Sequence, residues 1–270
     1  MDLDEPLVIS YCNSPKDDMH QNTKNYVRTL ENNHWKYMIV GSGDVWKGWS
    51  TRMTKYVEVL SALDPNKIVI ITDARDVFCT RQPTNFIKNF KKYNKKIVVS
   101  MELFAEGYME YDPNKTYFQV TWIENYWKMY NIDHDKTSRK FVNNGLVAGY
   151  AGELIKFYAW SIANGFTDDQ KALGAYVNEF PELIHADIHA ELLHTCVAFI
   201  SGGLSNSEIQ SADSPSLMDL VGRKSFFLHM PGLEISPGQK MFYHGANIAL
   251  LALNQQTLLN CYPHYRDLIL

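Results

Sequence analysis

KIVIITDARDVF, residues 67–78, begins as an apolar run and ends on two aspartates three positions apart, Asp73 and Asp76, with Arg75 between them. The run Ile68-Val-Ile-Ile-Thr72 is rich in β-branched side chains, which fit a pleated surface, and it is uninterrupted rather than alternating. That pattern predicts a strand in the middle of a sheet covered on both faces. Ionised carboxylates at the mouth of such a strand must be solvated, paired or bound to a cation.

Similar runs lie on either side: LVISYC (7–12), YMIVG (37–41) and KIVVSM (96–101). Helical patterns separate them; in TRMTKYVEVLSAL (51–63) Met53, Tyr56, Val57, Leu60 and Leu63 recur at spacings of three and four. Alternating strands and helices imply an α/β fold with a mixed, mostly parallel sheet flanked by helices. Ligands of such sheets collect at the carboxyl ends of the strands, where Asp73 and Asp76 stand. Further on, the sequence predicts a strand over LVAGY (146–150), helices over 153–165 and 169–180, and strands over HTCVAFI (194–200) and SFFLHM (225–230). SNSEIQSADSPS (205–216) reads as a surface loop. With no linker in view, the chain reads as one domain over 1–270, halved near residue 140.

With 46% hydrophobic residues in 270, the chain can bury a sizeable core. A formal charge of −4 and a pI near 6.1 argue against a nucleic-acid or anionic-membrane partner. No stretch reaches the roughly 18 apolar residues of a membrane span. The acidic MDLDEPLVISYC is no signal peptide, so the expectation is a soluble chain, cytoplasmic or a module excised from a longer protein. Cys12, Cys79, Cys196 and Cys261 form no C-x-x-C pair and read as buried thiols. The sequon Asn114-Lys115-Thr116 decides nothing.

Asp73 and Asp76 form the only Asp-x-x-Asp in the chain. As ordinary structural residues they would cap a turn or pair with Arg75 or Arg81. As ligands they suit a hard cation, Mg2+ or Mn2+, with positions left for diphosphate oxygens. A third ligand is needed. His229, closing an apolar strand before Pro231 and Gly232, is the candidate, with His244 as a competitor, and an imidazole tilts the choice toward Mn2+. Two aspartates ahead of a helical pattern, Asp168 and Asp169 in FTDDQ, also suit a helix N-terminus. The Gly-x-Gly of VGSGDVWKGW (40–49) is no dinucleotide fingerprint, because Trp46 stands where the third glycine belongs. Trp46 and Trp49 could serve a ligand or packing.

Taken in order, these segments resemble the glycosyltransferase domain of the procollagen lysyl hydroxylases and its viral relatives. VGSGDVWKGW is similar to the family's Gly-x-Gly-x-x-Trp, ITDARDVF to its Asp-x-x-Asp, and VVSMELF to its Ser-x-Glu. RKFVNNGLVAGY resembles Leu-Asn-Ser-Gly-Gly-Phe-Ile-Gly, and FTDDQ the aspartate run before Gln. HTCVAF and LHMPG resemble His-x-Cys-x-x-Phe and His-x-Asn-Gly.

The resemblance implies a GT-A fold, Asp73, Asp76 and His229 as metal ligands, and Glu102, Asn143, Asn144, Asp168 and Asp169 lining the sugar and acceptor site. It also implies that Arg52, Arg75 and Gly232 touch the nucleotide. The expected reaction moves glucose or galactose from a UDP-sugar to hydroxylysine, galactosyl-hydroxylysine of a collagen-like protein, or a related glycan. Three departures stand out. Arg75 replaces an aromatic residue able to stack on uracil, Pro231 replaces Asn, and AEGYMEY (105–111) lacks the family's Cys-Trp-Pro. These motivate the alternative of a non-catalytic module that binds nucleotide or glycan. A phosphatase-like hydrolase ranks last, since LVISYCNS has no Asp-x-Asp.

Overall fold

The computed structural model describes residues 5–102, 141–195 and 225–229. The sequon, AEGYMEY, residues 196–200 of the predicted strand, the 205–216 loop, Cys196, Cys261, Pro231, Gly232, His244 and the Glu102 side chain lie outside the described residues.

The β-branched runs form strands within a residue of their predicted bounds: β1 (Leu7–Tyr11), β2 (Lys36–Val40), β3 (Ile68–Thr72) and β5 (Ile97–Glu102). β4 (Val77–Cys79), β7 (Ile184–Asp187), β8 (Leu193–Thr195) and β9 (Phe227–His229) are short, whereas β6 (Phe141–Tyr150) extends well before LVAGY. All nine share one sheet, ordered β2-β1-β3-β6-β5-β8-β9-β4, with β7 also paired to β5. Five pairings are parallel and three antiparallel, as expected for a mixed, mostly parallel sheet. The antiparallel ones all involve β6 or β4.

Strand alternation divides the apolar side chains between two cores. Leu7, Ile9, Val69, Ile71, Ile97 and Val99 face helices α2 (Trp49–Ser61), α4 (Ala151–Ala163) and α5 (Asp169–Glu179), meeting Met53, Tyr56, Phe157 and Tyr176. Val8, Ile68, Ile70 and Val98 face α1 (Gln21–Asn32) and α3 (Phe86–Lys92), meeting Tyr26, Leu30, Phe86 and Phe90. Both faces of the central strands are therefore covered, which is why their sequences run apolar without a break. The spacing of three and four in α2 shows as buried Met53, Tyr56 and Leu60, with Arg52 buried beside them.

The sheet curls, and the chain shows why. β3 and β4 are five positions apart in strand order, about 24 Å across a flat sheet. The chain joins them in five Cα steps, at most about 18 Å. Only a sheet bent back on itself brings β4 and its partner β9 to the mouth of β3. Residues 73–76 are that bridge.

On the far side, His185 of β7 stacks on Tyr93, with ring centroids 3.7 Å apart. Burial, with help from Lys95 and His189, pushes its pKa down from 6.5 to about 4. The folded protein therefore refuses a proton that the unfolded chain accepts between those values. Stability is full above about pH 6.5 and falls as pH drops toward 4, by up to about 1.4 kcal/mol per pH unit. Urea melts from pH 7 to pH 4 should show this slope reduced in His185→Gln. An unchanged slope would remove His185 as its cause.

Candidate metal site

Three strand ends meet at the bridge. Asp73 follows β3 directly, and its backbone N–H donates to the carbonyl of Gly145 at 2.9 Å, carrying the β3–β6 ladder one step past Thr72–Leu146. Asp76 precedes β4. His229 ends β9 and lies in register with Val77, next to Asp76. The His229 Nε2 is 3.5 Å from Oδ2 of Asp73 and 3.5 Å from Oδ2 of Asp76. One ligand atom from each of the three residues lies within 4.8 Å of the others, which makes this a possible cation site. Two carboxylate oxygens and one imidazole nitrogen suit Mn2+ or Mg2+ in donor type.

The imidazole is backed from below. A Cβ added to Gly145 would come within 2.1 Å of His229 Cε1, so the ring occupies the space that any other residue would fill. The glycine sits in an irregular stretch of β6. Val99 pairs with Val147 but its neighbour Ser100 pairs with Asn143, so residues 144–146 bulge from the β5 ladder toward the bridge. Gln170 holds the bulge in place: its Oε1 accepts from Asn144 N at 2.8 Å and its Nε2 donates to Val142 O.

Arg52 joins the bridge to α5. Its Nη1 donates to Asp73, and Nε and Nη2 both donate to Oδ2 of Asp169, the former at 2.7 Å. Burial works to raise the Asp73 carboxyl, but Arg52 and then His229 hold it below the usual carboxylate range. Burial raises Asp169, and Asp73 adds to the rise against the pull of Arg52. Arg52 divides its charge between Asp73 and Asp169, while Asp73 and Asp76 face His229 with carboxylate oxygens that suit a divalent cation. Arg52, for which the resemblance implied a nucleotide contact, spends three of its five N–H groups on carboxylates.

Asp168 is the N-cap of α5, accepting from Gln170 N at 2.9 Å and Lys171 N at 3.0 Å, as the T-D-D-Q pattern suggested. Asn143 Oδ1 accepts from Gly145 N at 2.8 Å. Asn144 is 3% exposed, yet neither its Oδ1 nor its Nδ2 meets a hydrogen-bond partner among the described residues. Buried amides in that condition are costly. Arg75 is half-buried in the bridge, and Glu102 ends β5 opposite Phe141.

Trp46 and Trp49 are 41% and 44% exposed and meet edge to face at 5.1 Å, so they are not core residues. Tyr11 lies 5.7 Å from Trp46, and the Arg52 guanidinium sits 4.7 Å over the Trp49 ring. An aromatic wall thus runs from the end of β1 to Arg52, beside Asp73. Residue spacing did not reveal Gly145, Gln170 or the buried hydroxyls near His229. Only the position of Gln170 after two aspartates gave a hint.

No helix among the described residues is long and apolar enough to cross a membrane. No curated protein matches this chain. Among solved structures, a glycosyltransferase involved in glycosylation of the major capsid of PBCV-1 is 14% identical, over 87% of this chain and 96% of that one, with a TM-score of 0.46. A 4-diphosphocytidyl-2C-methyl-D-erythritol synthase from Anaerococcus prevotii is 15% identical, over 68% and 89%, with a TM-score of 0.34. The model of one family, the PLOD GT domain, matches residues 15–199, which is 185 of the 270 positions. With that match over more than half its length, the chain belongs to the PLOD GT-domain family and is a glycosyltransferase.

Proposed function

We propose that the protein moves a hexose, glucose or galactose, from a UDP-sugar to a hydroxyl of hydroxylysine, of galactosyl-hydroxylysine in a collagen-like protein, or of a related glycan. The observation that carries this reading is the convergence of Asp73, Asp76 and His229 at the carboxyl end of β3. These three residues would hold Mn2+ or Mg2+. When bound, such an ion supplies Lewis-acid neutralisation of the departing nucleoside diphosphate.

The rest of the chemistry falls to side chains. The two N–H groups that Arg52 does not spend on Asp73 and Asp169 suit diphosphate oxygens, and the guanidinium plane of Arg75 suits a base. The Asn144 amide offers a donor and an acceptor to sugar hydroxyls, which would satisfy its buried atoms. Glu102, Asn143, Asp168 and Asp169 complete the set on the acceptor side. A carboxylate among them would take the acceptor proton or stabilise oxocarbenium-like charge. Gly232 belongs to the nucleotide-binding group by resemblance.

The test is to incubate purified protein with UDP-glucose, UDP-galactose and other nucleotide sugars, with a galactosyl-hydroxylysine peptide, in Mn2+, Mg2+ or EDTA. UDP release and peptide glycosylation should require the metal. Turnover undiminished by EDTA would sink the metal assignment. Calorimetric binding of UDP and Mn2+ without turnover on any donor would leave a binding module.

A further inference from the structure

A chain of buried hydroxyls runs behind His229. Ser100 Oγ lies 3.0 Å from the Asn143 carbonyl, which can only accept, so the hydroxyl proton of Ser100 is spent there. Ser100 Oγ therefore accepts from Thr195 Oγ1, 2.9 Å away. That spends the single proton of Thr195, and the face Thr195 Oγ1 turns to His229 Nδ1, at 3.5 Å, is a lone pair. A bare Nδ1 would oppose lone pair to lone pair in a buried pocket, since Ser100 and Thr195 are both fully buried and His229 nearly so.

From this direction of donors we infer that Ser100 and Thr195 are positioning residues that keep the proton on His229 Nδ1 and reserve the Nε2 lone pair for a cation between Asp73 and Asp76. The carboxylates alone favour the opposite tautomer, because an Nε2–H would be drawn to the negative charge of two oxygens 3.5 Å away. The relay decides the contest, and its far end is anchored at the bulge through Asn143, so it is fixed by the same backbone irregularity that presents Gly145 to the ring. Outer partners of this kind orient a ligating imidazole and fix its tautomer, and losing them weakens metal affinity by about 10- to 100-fold.

The inference rests on the cation reading above, and two readouts separate their fates. The first is the 15N shift of His229 in metal-free protein at about pH 9, well above the ordinary histidine range, with the signal assigned by its loss in His229→Gln. The second is Mn2+ affinity without nucleotide, followed by the EPR signal of free Mn2+. Wild type and Thr195→Ser should show a protonated Nδ1 and similar affinity, within about 3-fold by the tolerance of a retained hydroxyl. Thr195→Val, which keeps the shape and loses the hydroxyl, should shift the proton to Nε2 and weaken Mn2+ about 10- to 100-fold, with thermal melts confirming that it folds. A bare Nδ1 in wild type, or wild-type Mn2+ affinity in Thr195→Val, would overturn the inference. If wild type fails to bind Mn2+ while its Nδ1 is protonated and that of Thr195→Val is not, the cation reading falls and the relay stands.

Discussion

Asp76→Asn is expected to abolish measurable Mn2+ binding at micromolar metal and to lower glycosyl transfer by at least about 100-fold, while leaving the melting temperature near that of wild type. The reason is that Asp76 turns its carboxylate to His229, with its Oδ2 3.5 Å from the imidazole, and that among the described residues its side chain makes no hydrogen bond to a strand. Its amide would keep the volume and lose the charge. Asp73→Asn offers the contrast. It removes a ligand and also breaks the ion pair to Arg52, whose side chain is only 9% exposed. Arg52 would keep Asp169 but lose one of its two charge partners, at a cost of about 1–3 kcal/mol. Activity should fall in both variants, and stability chiefly in Asp73→Asn. Paired assays and urea melts decide the matter; equal destabilisation, or activity retained in Asp76→Asn, would contradict the assignment.

Gly145→Ala should be nearly as damaging, although the residue carries no functional group. The added methyl would stand 2.1 Å from Cε1 and 2.5 Å from Nδ1 of His229. Atoms do not coexist at that separation, so either the ring turns away or the bulge moves. A displaced ring takes the imidazole away from both carboxylates and from Thr195 Oγ1. The expected outcome is a loss of Mn2+ affinity of more than about 10-fold and a matching loss of transfer, with far-ultraviolet circular dichroism unchanged. The overpacking itself should cost about 1–3 kcal/mol. Mn2+ titration distinguishes the routes: normal affinity in a folded Gly145→Ala would mean that the ring is free to yield.

Much of the framework is readable from side-chain pattern alone. Long β-branched runs such as Ile68–Thr72 and Ile97–Glu102 have no good alternative to a buried strand. Shorter elements escaped. β4 has three residues and β7 reads Ile-His-Ala-Asp, whose alternation is too brief and too polar to stand out. α1 buries Thr23 and Thr29 beside Tyr26 and Leu30, so half of its inner face looks hydrophilic in sequence. At the site, the paired aspartates and the strand-ending histidine announce themselves by chemistry that a core does not need. Arg52 was visible as a cation, but its partner Asp169 is 117 residues away and no local rule connects them. Gly145, Ser100 and Thr195 owe their importance to a neighbour's position, which spacing along a chain does not encode.

The short bridge between β3 and β4 also bears on how the molecule is made. Val77 and His229 are paired across 152 positions, so during synthesis both acids emerge long before the ring that completes their set. Contacts of such reach are slow to form. A cation that prefers the finished trio would reward only the closed sheet, acting as a clasp on the last step of assembly, so refolding yield, and not catalysis alone, should depend on the ion present.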